Sequence, residues 1–148
     1  MLDTCLFLST IELDPISASI RLKTESDWSH TGFYRLKDGW TFSAMADGKG
    51  VAWRPPNPRA KILKLSTEGI EAALSKALTQ EGKGYDRLDI LGIALGISLK
   101  SDNKFICSTL VAWAFQQIGT PLLNPTFIPL QHITPRDILL SPYVQEIV

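Results

Sequence analysis

The feature that most constrains the fold is an alternating stretch that two Asp-Gly turns interrupt. The segments "SHTGFYRL", "WTFSAMA" and "GVAWRP" alternate with period two, and the turns "KDG" and "DGKG" separate them. Asp-Gly between aromatic and β-branched runs is a strong hairpin signal. We therefore predict a meander of antiparallel strands. "AKILKL" resumes the sheet after the proline-rich loop "RPPNPR", so about four strands are expected in this part of the chain.

Four segments outside this sheet are predicted to be helical. They are "DPISASIRLKT", opened by Asp14 and Pro15; "STEGIEAALSKALTQEGKG", capped by Ser66 or Thr67; "YDRLDILGIALGISL"; and the stretch from near Cys107 to Gly119. The second has an apolar face made of Ile70, Ala73, Leu74, Ala77 and Leu78. "TCLFLST" is predicted to be a buried strand, and the proline-rich C-terminal tail to be extended. The pattern predicts one α+β domain over residues 1–148.

Composition and charge exclude several classes of partner. Among the 148 residues, 15 basic side chains balance 15 acidic ones, and no run of Lys or Arg stands out. Binding to nucleic acid or to an anionic membrane is therefore not expected. No segment has the length of a membrane span or the pattern of a signal peptide, so we expect a cytoplasmic protein. In that compartment Cys5 and Cys107 are expected to be free thiols.

Two residues are candidates for nucleophilic chemistry. Cys107 lies in the first turn of a predicted helix, where backbone N–H groups and the helix dipole favour the thiolate. His30 begins the first meander strand, from which an imidazole can reach a helix N-terminus that packs on the sheet. The alternatives are an inert buried cysteine and a structural imidazole that a hydroxyl satisfies. Cys5 and His132 are interpreted as structural. No zinc-ligand spacing or phosphate loop occurs, so no metal or cofactor is expected.

Five segments, in their order along the chain, resemble the circularly permuted NlpC-type papain-like enzymes, also called YiiX-like or YaeF-like amidases. The segments are "SDWSHTGFY", "FSAMADGKGV", "GKGYDRLDILG", "NKFICSTLVAWAFQQIG" and "ITPRDILLSP". They correspond to the Ser-His-x-Gly strand of that group, a strand ending near Gly-Val, a Tyr-Asp element, a helix that opens with Cys-Ser, and a closing Pro-x-Asp segment. The resemblance implies a permuted papain-like fold, with a small antiparallel sheet packed against helices.

The resemblance also implies roles for individual residues. Cys107 corresponds to the nucleophile, His30 to its general base, and Ser43 to the polar residue that orients the imidazole. Tyr85 matches the Tyr-Asp element and either lines the site, with the Cys107 backbone N–H as a second oxyanion donor, or simply packs against the sheet. Many relatives carry a glutamate or a longer polar side chain at the position of Ser43, and often a glutamate at that of Thr109.

The function implied by the resemblance is a thiol hydrolase that cleaves an amide or ester through an acyl-enzyme. The expected substrate is a small peptide, a cell-wall peptide of a bacterium or its phage, or a lipid-like amide, bound between loops such as "RPPNPR" and the tail. Two alternatives remain open. A serine stabilises imidazolium less than a carboxylate does, so the fold is alternatively a binding or assembly module. The third hypothesis is a thiol acyltransferase that acts on lipid-like substrates.

Overall fold

The computed structural model describes residues 3–10, 20, 22, 28–67, 69–86, 95 and 104–148. The predicted helices in residues 14–24 and 85–99 lie almost entirely outside these residues. In the described part, no helix is long and apolar enough to cross a membrane.

The described residues form eight strands, three α-helices and a 3₁₀ turn. The strands are β1 (Thr4–Ser9), β2 (His30–Arg35), β3 (Thr41–Met45), β4 (Gly50–Arg54), β5 (Lys61–Leu65), β6 (Gly84–Tyr85), β7 (Lys104–Phe105) and β8 (Val144–Ile147). The helices are α1 (Ile70–Leu78), α2 (Cys107–Gln117) and α3 (Pro135–Ile138), with a 3₁₀ turn at Leu130–His132. The predicted α+β class, with an antiparallel sheet packed against helices, is confirmed.

Six strands form one antiparallel sheet in the order β4-β3-β2-β1-β5-β8. The predicted meander is confirmed for β2, β3 and β4, whose turns contain Gly39 and Gly48 at positive φ. The strand β5 does not pair with β4, because the proline-rich loop carries the chain across the sheet to β1. The strand β1 is therefore central, and all six of its residues are buried.

The C-terminal tail is more ordered than the predicted extended segment. The strand β8 pairs with β5 at the sheet edge. Before it, Pro135 occupies the first turn of α3, and the backbone N–H of Thr134 donates to Asp137 Oδ2 at 2.9 Å. Proline at a helix start and an acidic side chain reaching back to the N-cap are both helix-initiating features, so the tail folds into a short helix.

The helices confirm the predicted apolar periodicity but shift one boundary. Ile70, Ala73, Leu74 and Ala77 are buried on α1 as predicted. The N-cap of α1 is Gly69, so the prediction of a cap at Ser66 or Thr67 is wrong. The Thr67 hydroxyl accepts the Gly69 N–H at 3.1 Å and shapes the turn that precedes the helix.

The two faces of the sheet have different roles. Leu6, Leu8, Phe33 and Phe42 lie in the hydrophobic core, where the rings of Phe33 and Phe115 from α2 stack with their centroids 6.4 Å apart. Because side chains alternate along a strand, Phe7, His30, Gly32 and Ser43 occupy the other face. The helix α2 and the His30 imidazole are thus associated with opposite faces of β2.

Candidate active site

The start of α2 fixes the position of Cys107. Thr109 Oγ1 accepts the backbone N–H of the N-cap residue Ile106 at 3.0 Å, as the third residue of a capping box does. Ser108 Oγ donates to the carbonyl of Ile133 at 2.7 Å and ties the helix to the C-terminal tail. Thr109 therefore performs the capping role that a glutamate at this position also fills.

The Cys107 thiol is enclosed by backbone. The residue is 1% exposed, and its sulfur lies 3.9 Å from the carbonyl oxygen of Ser29. Burial raises the pKa of Cys107 to about 11, although N–H groups of Thr31, Ser108 and Cys107 itself act to lower it. The predicted thiolate stabilisation at the helix start is therefore present but outweighed, and the thiol is protonated at neutral pH.

The imidazole of His30 is held between a hydroxyl and an aromatic ring. Its Nε2 lies 3.1 Å from Ser43 Oγ, and the Phe7 ring meets it edge-on with the centroids 5.4 Å apart. Burial, and to a smaller extent the nearby Arg54 charge, lower the pKa of His30 to about 3, against the opposite effect of Asp47. The imidazole is therefore neutral at pH 7.

Gly32 explains why the "SHTG" motif needs a glycine on this face. A Cβ at Gly32 would lie 2.6 Å from the Phe42 carbonyl oxygen, 2.7 Å from Ser43 Cβ and 2.9 Å from Phe7 Cε1. These distances are shorter than van der Waals contact. The missing side chain lets Phe7 and Ser43 close on one another beside His30.

The structure brings His30 and Ser43 together and places Cys107 beside the backbone of His30. The sulfur contacts Ser29 O on one side and receives the Thr31 N–H on the other. Among the hydrogen bonds of the described residues, none joins Cys107 Sγ to the imidazole. Tyr85 pairs with Phe105, two residues before Cys107, and is half-buried against the core.

Arg54 is the main site residue that the sequence interpretation missed. Its five N–H groups donate to both carboxylate oxygens of Asp47 and to the carbonyls of Ser43, Gly50 and Ala52, at 2.6–3.0 Å. The guanidinium thereby connects the turn aspartate Asp47 to the backbone of Ser43, the residue whose hydroxyl contacts His30. The sequence offers a signal only for the ion pair, an arginine seven residues after the turn aspartate Asp47.

A cavity of about 190 Å³ lies beside the imidazole. Its lining consists of Phe7, Ser9, His30, Thr41, Met45, Arg54, Pro55 and Asn57. Pro55 and Asn57 belong to the "RPPNPR" loop, and Cys107 is not part of the lining.

Of the two residues predicted to be structural, Cys5 is buried and is a free thiol like Cys107, and His132 is half-buried. In the described residues, no three His, Cys, Asp or Glu side chains cluster closely enough to hold a metal ion.

The fold is that of an α+β protein with an antiparallel sheet packed against helices, and it is consistent with a YiiX-like architecture. Among solved structures, the crystal structure of "metalloprotein yiiX from Escherichia coli O157:H7, DUF1105" matches with a TM-score of 0.65. The match covers 99% of this chain and 96% of that chain at 20% sequence identity, so the likeness concerns the fold. No protein-family model and no curated protein matches the chain.

Proposed function

We propose that the protein is a thiol hydrolase of the permuted NlpC papain-like type, with Cys107 as the nucleophile and His30 as its base. One observation carries the proposal. The Cys107 sulfur contacts the Ser29 carbonyl and the Thr31 N–H, which flank His30 in the chain. The Ser43 hydroxyl lies at hydrogen-bond distance from Nε2 of that histidine. Nδ1 is therefore the ring nitrogen that takes the thiol proton once the imidazole turns from its present face of β2 toward the sulfur.

The reaction proposed is acyl transfer through the sulfur. The Cys107 proton moves to His30 Nδ1 as Sγ attacks the substrate carbonyl carbon, and the N–H groups around the sulfur stabilise the oxyanion. The C–N or C–O bond then breaks, and His30 returns the proton to the leaving amine or alcohol. Water, deprotonated by His30, then attacks the thioester carbonyl; the C–S bond breaks, the acid leaves, and His30 returns the proton to Cys107 Sγ. Tyr85 is proposed as a residue that lines the site near the start of α2.

The substrate class proposed is a small peptide, a cell-wall peptide or a lipid-like amide. The structurally similar protein from Escherichia coli O157:H7 is called a metalloprotein. The described residues of this chain include no cluster of three or more His, Cys, Asp or Glu suited to a metal ion, so they do not fit one. The proposed mechanism contains no metal-dependent step.

The pH dependence of Cys107 alkylation by iodoacetamide tests the proposal. A thiol that reacts only through its free thiolate becomes about tenfold faster with each pH unit below its pKa. If His30 accepts the proton during attack, the rate is instead nearly constant from about pH 5 to pH 8, where the imidazole is neutral. We expect this plateau for Cys107 but not for Cys5, with each site followed by peptide mass spectrometry.

Two variants complete the test. His30→Gln should remove the plateau, while His132→Gln should leave it intact and controls for the loss of any histidine. A tenfold dependence per pH unit in the wild type and in His30→Gln alike would contradict the hydrolase. The chain would then be a binding module, a function that the protonated, buried thiol and neutral imidazole also favour.

A further inference from the structure

The cavity beside His30 contains a hydroxyl that has no partner. Ser9 is 1% exposed and lies opposite His30 in the β1–β2 ladder. Within the described part of the chain, its Oγ forms no hydrogen bond. A buried hydroxyl without a partner costs roughly 1–3 kcal/mol, so such a group at a cavity wall indicates that something else completes its hydrogen bonding.

The walls of the cavity carry no unbalanced charge. All five N–H groups of Arg54 are already used, and Asp47 balances its charge through a bidentate contact. His30 is neutral at pH 7 because burial lowers its pKa to about 3. A buried ion without a partner is strongly disfavoured, so the cavity is suited to an uncharged occupant.

The volume and the apolar surface of the cavity further restrict the kind of ligand that can bind. Phe7, Met45 and Pro55 supply hydrocarbon and sulfur surface. Ser9, Thr41 and Asn57 add hydroxyl and amide groups, of which the Ser9 hydroxyl is the buried one without a partner in the described residues. The volume of about 190 Å³ equals about six water molecules at roughly 30 Å³ each. It is below the roughly 300–1,000 Å³ of pockets for drug-sized ligands. The cavity is therefore large enough for a short side group or acyl chain but too small for a whole peptide.

We infer that this cavity is a binding site for a short, uncharged aliphatic amide or acyl group, held by a hydrogen bond between its carbonyl and Ser9 Oγ. Phe7 and Ser9 form the buried floor, and exposed Pro55 lies at the rim, so the group enters from the proline-rich loop. The inference depends on the proposed function in one respect only, that the bound group is part of the substrate. Binding of the group itself requires no reaction at Cys107.

Three small probes of similar size and different charge test the inference: butyramide, butyrate and butylammonium. The methyl signal of Met45 reports on the cavity, and Met1 is the internal reference, since the chain has two methionines. The ring signals of His30 are assigned with His132→Gln. We expect butyramide to shift the Met45 and His30 signals of the full chain in a saturable manner, and the two ions to leave them unchanged.

Ser9→Ala removes the hydroxyl with little change in volume and should raise the Kd of butyramide about 2- to 12-fold, the effect of losing one hydrogen bond. Thr120→Val is the matched control, because Thr120 Oγ1 is another buried hydroxyl without a partner in the described residues and does not line the cavity. This variant should bind butyramide like the wild type.

An unchanged Kd in Ser9→Ala, equal binding of butyrate, or no shift at Met45 would each overturn the inference. The alkylation experiment uses no cavity ligand, so the two proposals fail separately. A His30-dependent plateau without butyramide binding would refute only the cavity site. Saturable butyramide binding without a plateau would refute only the hydrolase.

Discussion

Arg54 provides the sharpest prediction about stability. The residue is 8% exposed, and its guanidinium satisfies the carbonyls of Ser43, Gly50 and Ala52 in addition to Asp47. Arg54→Met keeps most of the aliphatic volume but leaves these acceptors without their donor. The two buried carbonyls, of Ser43 and Gly50, each lose a hydrogen bond from a charged donor, which costs about 1.5–3 kcal/mol. The Asp47 side chain is 33% exposed, so its ion pair adds little. The melting entropy of 148 residues is about 0.3 kcal/mol/K, so a total loss of about 3–6 kcal/mol should lower the Tm by about 10–19 °C.

Differential scanning calorimetry measures this loss, and Lys64→Met is the matched control. Lys64 and Glu146 form an ion pair at 3.1 Å whose side chains are 50% and 58% exposed. Exposed pairs contribute about 0–1 kcal/mol, which corresponds to a fall of at most about 3 °C. A Tm for Arg54→Met within the range of this control would refute the argument that the buried guanidinium holds the hairpin. In the folded variant, loss of the Arg54 charge should also raise the pKa of His30.

Three further predictions concern the same face of the sheet. Gly32→Ala should lose about 1–3 kcal/mol of unfolding free energy, measured in urea, because its Cβ would overpack against Phe7 and Ser43. Gly84→Ala is the control and should be near neutral, since its Cβ meets atoms no closer than 3.6 Å. Equal losses in the two variants would refute the steric argument. The pKa of His30 is lowered from 6.5 to about 3, so the unfolded chain binds the proton first as pH falls, and the wild type should lose about 2 kcal/mol between pH 7 and pH 5. His30→Gln should lack that loss in urea titrations at the two pH values, and an identical pH dependence would contradict the neutral, buried imidazole. Ser43→Ala should raise the exchange rate of the His30 ring between orientations, measured by ring relaxation dispersion, because Nε2 loses its 3.1 Å partner; unchanged dispersion would show that packing alone holds the ring.

Local patterns predicted the strands and the main helix face, because these depend on neighbours in sequence. The turns that contain Gly39 and Gly48 and the buried face that starts at Ile70 are examples. The central place of β1 was not predictable in this way, since its pairing with β5 joins residues that are more than 50 positions apart in the chain. Long-range pairing depends on the whole core, and no local period encodes it.

Within the candidate site, the contact between His30 and Ser43 was predictable from the sequence, whereas the protonation of Cys107 and the partners of Arg54 were not. The pairing of His30 with Ser43 follows from the resemblance, and the structure places the two atoms at hydrogen-bond distance. The protonation of Cys107 depends on its burial, which outweighs the N–H groups at the helix start that favour the thiolate. Arg54 was missed because its five partners are mostly backbone carbonyls, which have no sequence signature.

The two proposed classes of function differ in the free energy of moving one proton from Cys107 to His30. With pKa values of about 11 and about 3, this transfer costs about 11 kcal/mol before any attraction between the two ions is counted. A reaction at about 1 s⁻¹ has a total barrier of about 17 kcal/mol, so a separate proton transfer would leave about 6 kcal/mol for attack on the carbonyl. A hydrolase on this scaffold therefore needs the proton to move in concert with the attack, or a substrate that separates Cys107 from the Ser29 carbonyl and turns the imidazole toward it. Both routes pass through His30, which is why the His30-dependent plateau in alkylation distinguishes an enzyme from a binding module.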